Sequence, residues 1–253
     1  MTLVVTDAVV LHLFDYLESS RIIRLATREL GVQSVVARGA RRPKGRFGTS
    51  MDIFASGVVQ FSAKPGRELH NLTGFDLTRS RMGLAGNLQR FSAAAAIAEL
   101  ALSFTHAGPE DPVFDVLTDA LDLLTDASEE RATDLGIASA WRIVAALGFT
   151  PIVDMCAVCR GLIDADVAAA FSQTAGGVVC VRCRPTVPAT RTLPPEARRV
   201  LQQWLTGREA ALTSVAERRA HLRLLREFLQ HHVAEGRDLR ALEAWEAGFR
   251  RRE

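Results

Sequence analysis

Up to about residue 77 the apolar positions of this chain alternate with polar ones over short runs, and beyond it they recur every three or four residues. Segments 4–5 with 8–13, then 21–27, 32–37, 54–61 and 68–75, are short, several of them alternate, and turn-forming Gly, Ser, Asp and Pro divide them. Five short strands in so little chain predict a small barrel. Barrels of the OB type are built from such strands, and their face and loops commonly carry single-stranded nucleic acid.

From Leu77 the period becomes helical. Leu84, Leu88, Phe91, Ala95 and Leu102 form one stripe; Phe114, Leu117, Leu121 and Leu124 form a second, with Pro112 at its start; residues 135–147 give a third, ended by Gly148. The Ala-rich run 92–103 carries Glu99 and reads as a buried helix, not a membrane span. After Pro185, helices are expected over 197–205, about 215–235 and 239–249. The predicted fold class is therefore α+β multidomain: a five-stranded OB-fold β-barrel over residues 1–78, followed by an all-α domain over 79–253. A small module at about 151–186 interrupts the helices.

That module contains all four cysteines, as Cys156-Ala-Val-Cys159 and Cys180-Val-Arg-Cys183, separated by twenty residues. Each CxxC turns two thiolates the same way, and two such knuckles close a four-sulfur shell around one Zn2+ with no position left for water or substrate. The expected metal is structural. Two disulfides or a redox pair are the rival readings; the first ten residues lack a basic start followed by an apolar run, which favours a reducing, cytoplasmic setting.

Composition, 48% hydrophobic over 253 residues, is that of an ordinary globular protein, and a net charge of +2 offers no general attraction to polyanions. Placement of charge matters more. Arg38-Gly-Ala-Arg-Arg-Pro-Lys-Gly-Arg46 puts five positive charges into nine residues with no carboxylate, and its Gly and Pro exclude a helix. Arg38, Arg41, Arg42, Lys44 and Arg46 are candidate phosphate contacts, and Phe47 is a candidate for base stacking. His221, His231 and His232 have no ligand set beside them, and Asp119, Asp122 and Asp126 read as the wet face of an amphipathic helix. No GxxxxGK[ST], GxSxG or HExxH occurs, and nothing forms a catalytic constellation, so no enzyme is expected.

Glu18-Ser-Ser-Arg-Ile-Ile-Arg-Leu-Ala-Thr-Arg-Glu-Leu-Gly31, followed by Ser34-Val-Val-Ala-Arg-Gly-Ala-Arg-Arg-Pro-Lys44, closely resembles the amino-terminal domain of the bacterial recombination mediator family RecO. Trp141-Arg-Ile-Val-Ala-Ala-Leu-Gly-Phe-Thr-Pro151, the two cysteine pairs and Leu224-Leu-Arg-Glu-Phe-Leu-Gln-His-His232 resemble its helical domain. The resemblance implies an OB-fold joined to a helical domain and no catalytic turnover. It also implies single- and double-stranded DNA binding, annealing of complementary strands, and action with RecR to load RecA onto DNA coated by single-stranded-DNA-binding protein (SSB). SSB would dock through its acidic C-terminal tail on Arg-rich helices within 198–240, and the protein would be cytoplasmic and nucleoid-associated, away from membranes. Gly45 stands where the family has Ser, and some family members lack the cysteines, which implies that zinc is scaffold. The alternative is a zinc-stapled protein-interaction adaptor that does not bind DNA directly.

Overall fold

The computed structural model describes residues 2–41, 47, 51–64, 66–104, 112–188, 190–232 and 238–250. β1 (Thr2–Tyr16), β2 (Ser20–Thr27), β3 (Gly31–Ala37), β4 (Ser56–Ala63) and β5 (Leu69–Arg79) close into a barrel in the order β1-β2-β3-β5-β4. Neighbours are antiparallel except β3 with β5. The two apolar runs expected at 4–5 and 8–13 are one strand that serves two neighbours. Its first half, to Val9, pairs with β4, and from Ala8 onward it pairs with β2, with a bulge between Val10 and His12. Burial explains the uninterrupted apolar stretch. Ala8 and Val10 face the barrel interior, whereas Val9 and Leu11 join the core of the helical region together with Ala26 and Phe54.

That second core is built by α1 (Leu88–Phe104), α2 (Val113–Asp126), α3 (Glu129–Ala146), α4 (Pro195–Leu205), α5 (Val215–His232) and α6 (Arg240–Arg250). It buries the chain's three tryptophans, Trp141, Trp204 and Trp245. Gly136 lets α3 lie against α1 and α6: a Cβ there would stand 2.7 Å from both Ala93 Cβ and the Trp245 ring. Ser128 caps α3, and Gly148, at φ +90°, ends the turn after it. Glu99 sits in the Ala-rich part of α1 for a reason far away in sequence. Its carboxylate accepts the N–H groups of Ala241 (3.0 Å) and Leu242 (3.2 Å), satisfying the open first turn of α6.

Ionic contacts seat the barrel on the helices. Arg81, only 3% exposed, donates to the Phe54 carbonyl (2.7 Å), Ser56 Oγ (2.7 Å) and Asp122 (2.9 Å), and Arg79 reaches the same carboxylate at 3.0 Å. Arg28 pairs with Asp115 at 2.7 Å and lies over the Phe114 ring. The wet-face reading of Asp122 is thus corrected: it anchors two arginines of the barrel.

Between α3 and α4 lies a three-stranded sheet, β6 (Ala169–Ser172), β7 (Gly177–Val179) and β8 (Thr190–Leu193), in the order β7-β6-β8. β8 has no counterpart among the expected strands, because Thr-Arg-Thr-Leu is too short and polar to carry a period. Among the described residues no helix is long and apolar enough to cross a membrane.

His221 is 2% exposed, packs edge-on against Trp204, and neither ring nitrogen has a hydrogen-bond partner. Burial drives its pKa down to about 4, outweighing the opposing pull of Glu217 and Asp134. The neutral ring is therefore the form that folds. Above pH 6.5 nothing is lost; as pH falls toward 4 the unfolded chain takes up a proton that the folded chain refuses, costing about 3 kcal/mol at pH 4. His221→Leu is expected to lose less stability over this window than the wild type, as measured by urea unfolding at pH 7 and pH 4.5. Equal losses in both proteins would disprove it.

Candidate nucleic-acid interface and metal centre

The turn between β4 and β5 is held by Arg67 N–H donating to the Lys64 carbonyl (3.3 Å), with Gly66 at φ +72° between them. It sets two cations beside one end of the barrel. Across from them stand Tyr16, the chain's one tyrosine, at the end of β1, and Arg38, just past β3. Tyr16, Arg38, Lys64 and Arg67 line a groove of about 520 Å³ with Val36, Ser62, Leu69, His70, Asn71 and Thr73. None of these lining residues is acidic. Cations, an exposed phenol ring and neutral hydrogen-bonding groups are together suited to phosphate, base and sugar. His70 stacks on Phe61 at 5.3 Å, and its Nδ1 is buried without a partner.

Of the basic segment, Arg38 is exposed in this groove, and Arg41 lies 3.6 Å from Asp15, which also pairs with Arg21 at 3.3 Å. Arg42, Lys44 and Arg46 lie outside the described residues. Phe47 is a correction. Its ring is 6% exposed and packs with Val10, Val35 and Met51 in the barrel interior, so burial takes it away from base stacking. Lys64, Arg67 and Tyr16 were not anticipated from the sequence, where Ala-Lys-Pro-Gly-Arg carries only two charges followed by Glu68.

The second site is the cysteine cluster. Cys156, Cys159, Cys180 and Cys183 are free thiols whose sulfurs all lie within 4.8 Å of one another. The Cys159 and Cys180 sulfurs are 3.8 Å apart, close to the edge of a tetrahedron with about 2.3 Å metal–sulfur bonds and far beyond a disulfide of about 2.05 Å. Burial opposes ionisation of Cys156, but N–H groups aimed at its sulfur, among them Cys180 N–H at 3.3 Å, prevail and bring the thiol to about 6. Cys183 is pushed the other way, to about 12, first by its contact with the Cys180 side chain. Four sulfurs this close cannot all be anionic without a cation among them, and the set is compatible with one zinc ion. Gly177 holds the module shut: a Cβ there would meet the Ile152 carbonyl oxygen at 2.2 Å. His232 ties it to α5, its Nε2 lying 2.5 Å from the Gln173 carbonyl oxygen.

A third feature lies among the helices. Two adjoining depressions of about 380 and 500 Å³ share Leu123, Arg131, Leu135, Arg142 and Glu209, and the first also includes Ala138, Trp204 and Arg208. Leu123, Leu135 and Ala138 give them apolar surface, and their rims mix Arg131, Arg142 and Arg208 with Asp119, Asp122, Asp126, Asp134 and Glu209; Arg131 pairs with Glu209 at 3.0 Å and Asp134 with Arg218 at 2.7 Å.

Residues 1–81 match the family described as "Recombination protein O N terminal", and residues 85–241 match "Recombination protein O C terminal". The chain belongs to the RecO family. It is 33% identical over 239 residues to the DNA repair protein RecO of Anaeromyxobacter sp. strain Fw109-5, covering 92% of this chain and 91% of that one. With the RecO of Rubrobacter xylanophilus it shares 32% over 188 residues, 74% of each chain. With that of Pelotomaculum thermopropionicum it shares 30% over 248 residues, 95% of this chain and 93% of the other. Membership of RecO supports a role in DNA repair and recombination, and the barrel, helical region and cysteine cluster are arranged as the resemblance implied.

Cys180→Ala and Gly177→Ala are both expected to lower the melting temperature, the first by opening the sulfur shell and the second by driving Ile152 off β7. Elemental analysis should find about one zinc ion per wild-type chain and a marked loss in Cys180→Ala. Freshly reduced protein with four titratable thiols, no metal and unchanged stability would sink the structural-metal reading.

Proposed function

We propose that this chain is a DNA repair and recombination mediator that binds single- and double-stranded DNA through the barrel and anneals complementary strands. With RecR it would promote loading of RecA onto DNA coated by SSB. No catalytic turnover is part of this reading, and the protein works in the cytoplasm at the nucleoid. The observation that carries it is the groove of Tyr16, Arg38, Lys64 and Arg67, cationic, aromatic and free of carboxylates among its lining residues. Arg41, Arg42, Lys44 and Arg46 follow Arg38 closely in the sequence and belong to the same basic segment. Contacts of this kind ignore sequence, as an annealing protein requires. One structural zinc on Cys156, Cys159, Cys180 and Cys183 would staple the helical region without taking part in the chemistry.

A mediator must also recognise DNA that is already covered, which phosphate attraction cannot do. For the acidic, apolar-ended SSB tail the first depression is the better fit: Leu123, Leu135 and Ala138 lie beside Arg142 and Arg208 there, and its two carboxylates, Glu209 and Asp134, are engaged by Arg131 and Arg218, whereas the second depression carries Asp119, Asp122 and Asp126. The faces of α4 and α5 within 198–240 are weaker candidates, because Leu201, Leu222, Leu225, Phe228 and Leu229 are all consumed by the core.

Arg38→Ser/Lys64→Ser/Arg67→Ser is expected to weaken single-strand binding and to flatten the slope of log affinity against log salt by about 2, close to 0.7 for each lost phosphate contact. Unchanged affinity and slope in the folded variant would favour the adaptor without direct DNA binding. Arg142→Ala should weaken binding of a fluorescent SSB-tail peptide roughly tenfold, the worth of one charged hydrogen bond. Normal peptide binding by that variant, or binding lost only in the barrel variant, would refute this docking site.

A further inference from the structure

The sulfur cluster brings the two knuckles side by side, since Cys159 and Cys180 meet at 3.8 Å and Cys180 N–H points at the Cys156 sulfur. Their tips therefore form one surface. Val158, Leu162 and Val181 are 47%, 88% and 83% exposed on it, far more than aliphatic side chains in a structural module require. Arg160, Arg182 and Arg184 are exposed beside them, and among the described residues none of the three pairs with a carboxylate. Of the nearby acids, Asp166 faces Arg199 of α4, Asp164 accepts the Asp166 N–H, and Asp154 is exposed without an ion pair to any of the three arginines among the described residues.

A second observation concerns the backbone. Arg160 has φ +60°, one of three non-glycine residues with positive φ among the described residues, while its N–H closes the first knuckle on the Cys156 carbonyl at 2.9 Å. Glycine adopts this conformation at no steric cost and stands next door at Gly161. The left-handed backbone belongs to the knuckle's turn, but an arginine there in place of glycine, with its guanidinium in solvent, adds strain that the turn does not need. The strain points to a use for the side chain.

We infer that the knuckle tips are a second contact for single-stranded nucleic acid: Arg160, Arg182 and Arg184 take successive phosphates, and Val158, Leu162 and Val181 lie against unstacked bases. The inference rests on the DNA-binding reading above and adds a site to it. Three exposed arginines with no carboxylate partner match the regular negative charges of a strand, and the aliphatic side chains between them add apolar contact to its unstacked bases. A chain with two strand-binding surfaces can hold one strand at the barrel while another is drawn alongside.

The test compares the wild type, Arg160→Gly/Arg182→Ser/Arg184→Ser and the barrel variant Arg38→Ser/Lys64→Ser/Arg67→Ser, each titrated with fluorescent oligothymidylate across a salt series. The knuckle variant is expected to bind roughly tenfold more weakly at about 0.1 M salt with a slope shallower by about 2. Its melting temperature and metal content should be retained, because Arg160→Gly relieves strain. Wild-type affinity and slope in the knuckle variant, with weakened binding in the barrel variant, would overturn the inference and leave the proposed function standing. Loss of a protein partner's binding with DNA affinity intact would overturn it too. If neither variant weakens DNA binding, the DNA-binding reading itself fails and this site falls with it.

Discussion

The arrangement of the whole molecule hangs on one buried cation. Taking the Arg81 guanidinium out of water costs several kcal/mol unless its donors are all used, and here they are shared between the segment entering β4 and a carboxylate of α2. Neither side can shift without leaving that charge unmatched. Because Val9, Leu11 and Phe54 simultaneously bury apolar surface in the helical core, the barrel is fixed by both a directional and a non-directional force. A groove on the barrel and a groove among the helices therefore keep a constant separation.

Much of this was legible in the sequence, because period and punctuation are local properties. The five strands and the three helices before the module followed from alternation, 3.6-residue stripes, Pro112 and Gly148. The cysteines were legible for the same reason, since CxxC turns are local and chemistry does the rest. What escaped were features created by meetings at a distance. Glu99 is unintelligible in an Ala-rich helix until α6 arrives to use it, and Asp122 looks like solvent-facing charge until Arg79 and Arg81 are brought to it. The groove was half legible. Arg38 belongs to a conspicuous charge run, whereas Lys64, Arg67 and Tyr16 come from unrelated places and share a wall only because the barrel closes.

Phe47 illustrates how local reading misleads. An aromatic ring ending a basic run has the composition of a stacking platform, but a small barrel needs its ends filled, and the nearest large apolar side chain was drawn inside. The hydrophobic demand of the core outweighs what a neighbouring charge pattern suggests.

The cap that Glu99 places on α6 also bears on how the chain is made. The contact spans 142 residues, and Trp245 of the same helix closes over Gly136. During synthesis α1, α2 and α3 emerge long before α6, with a carboxylate stranded in an apolar interface and a tryptophan-sized gap beside Ala93. The barrel can form as soon as its strands leave the ribosome, but the helical region cannot close until α6 is released. A nascent chain of this protein thus carries an unfinished hydrophobic face from the emergence of α1 until α6 arrives to cover it.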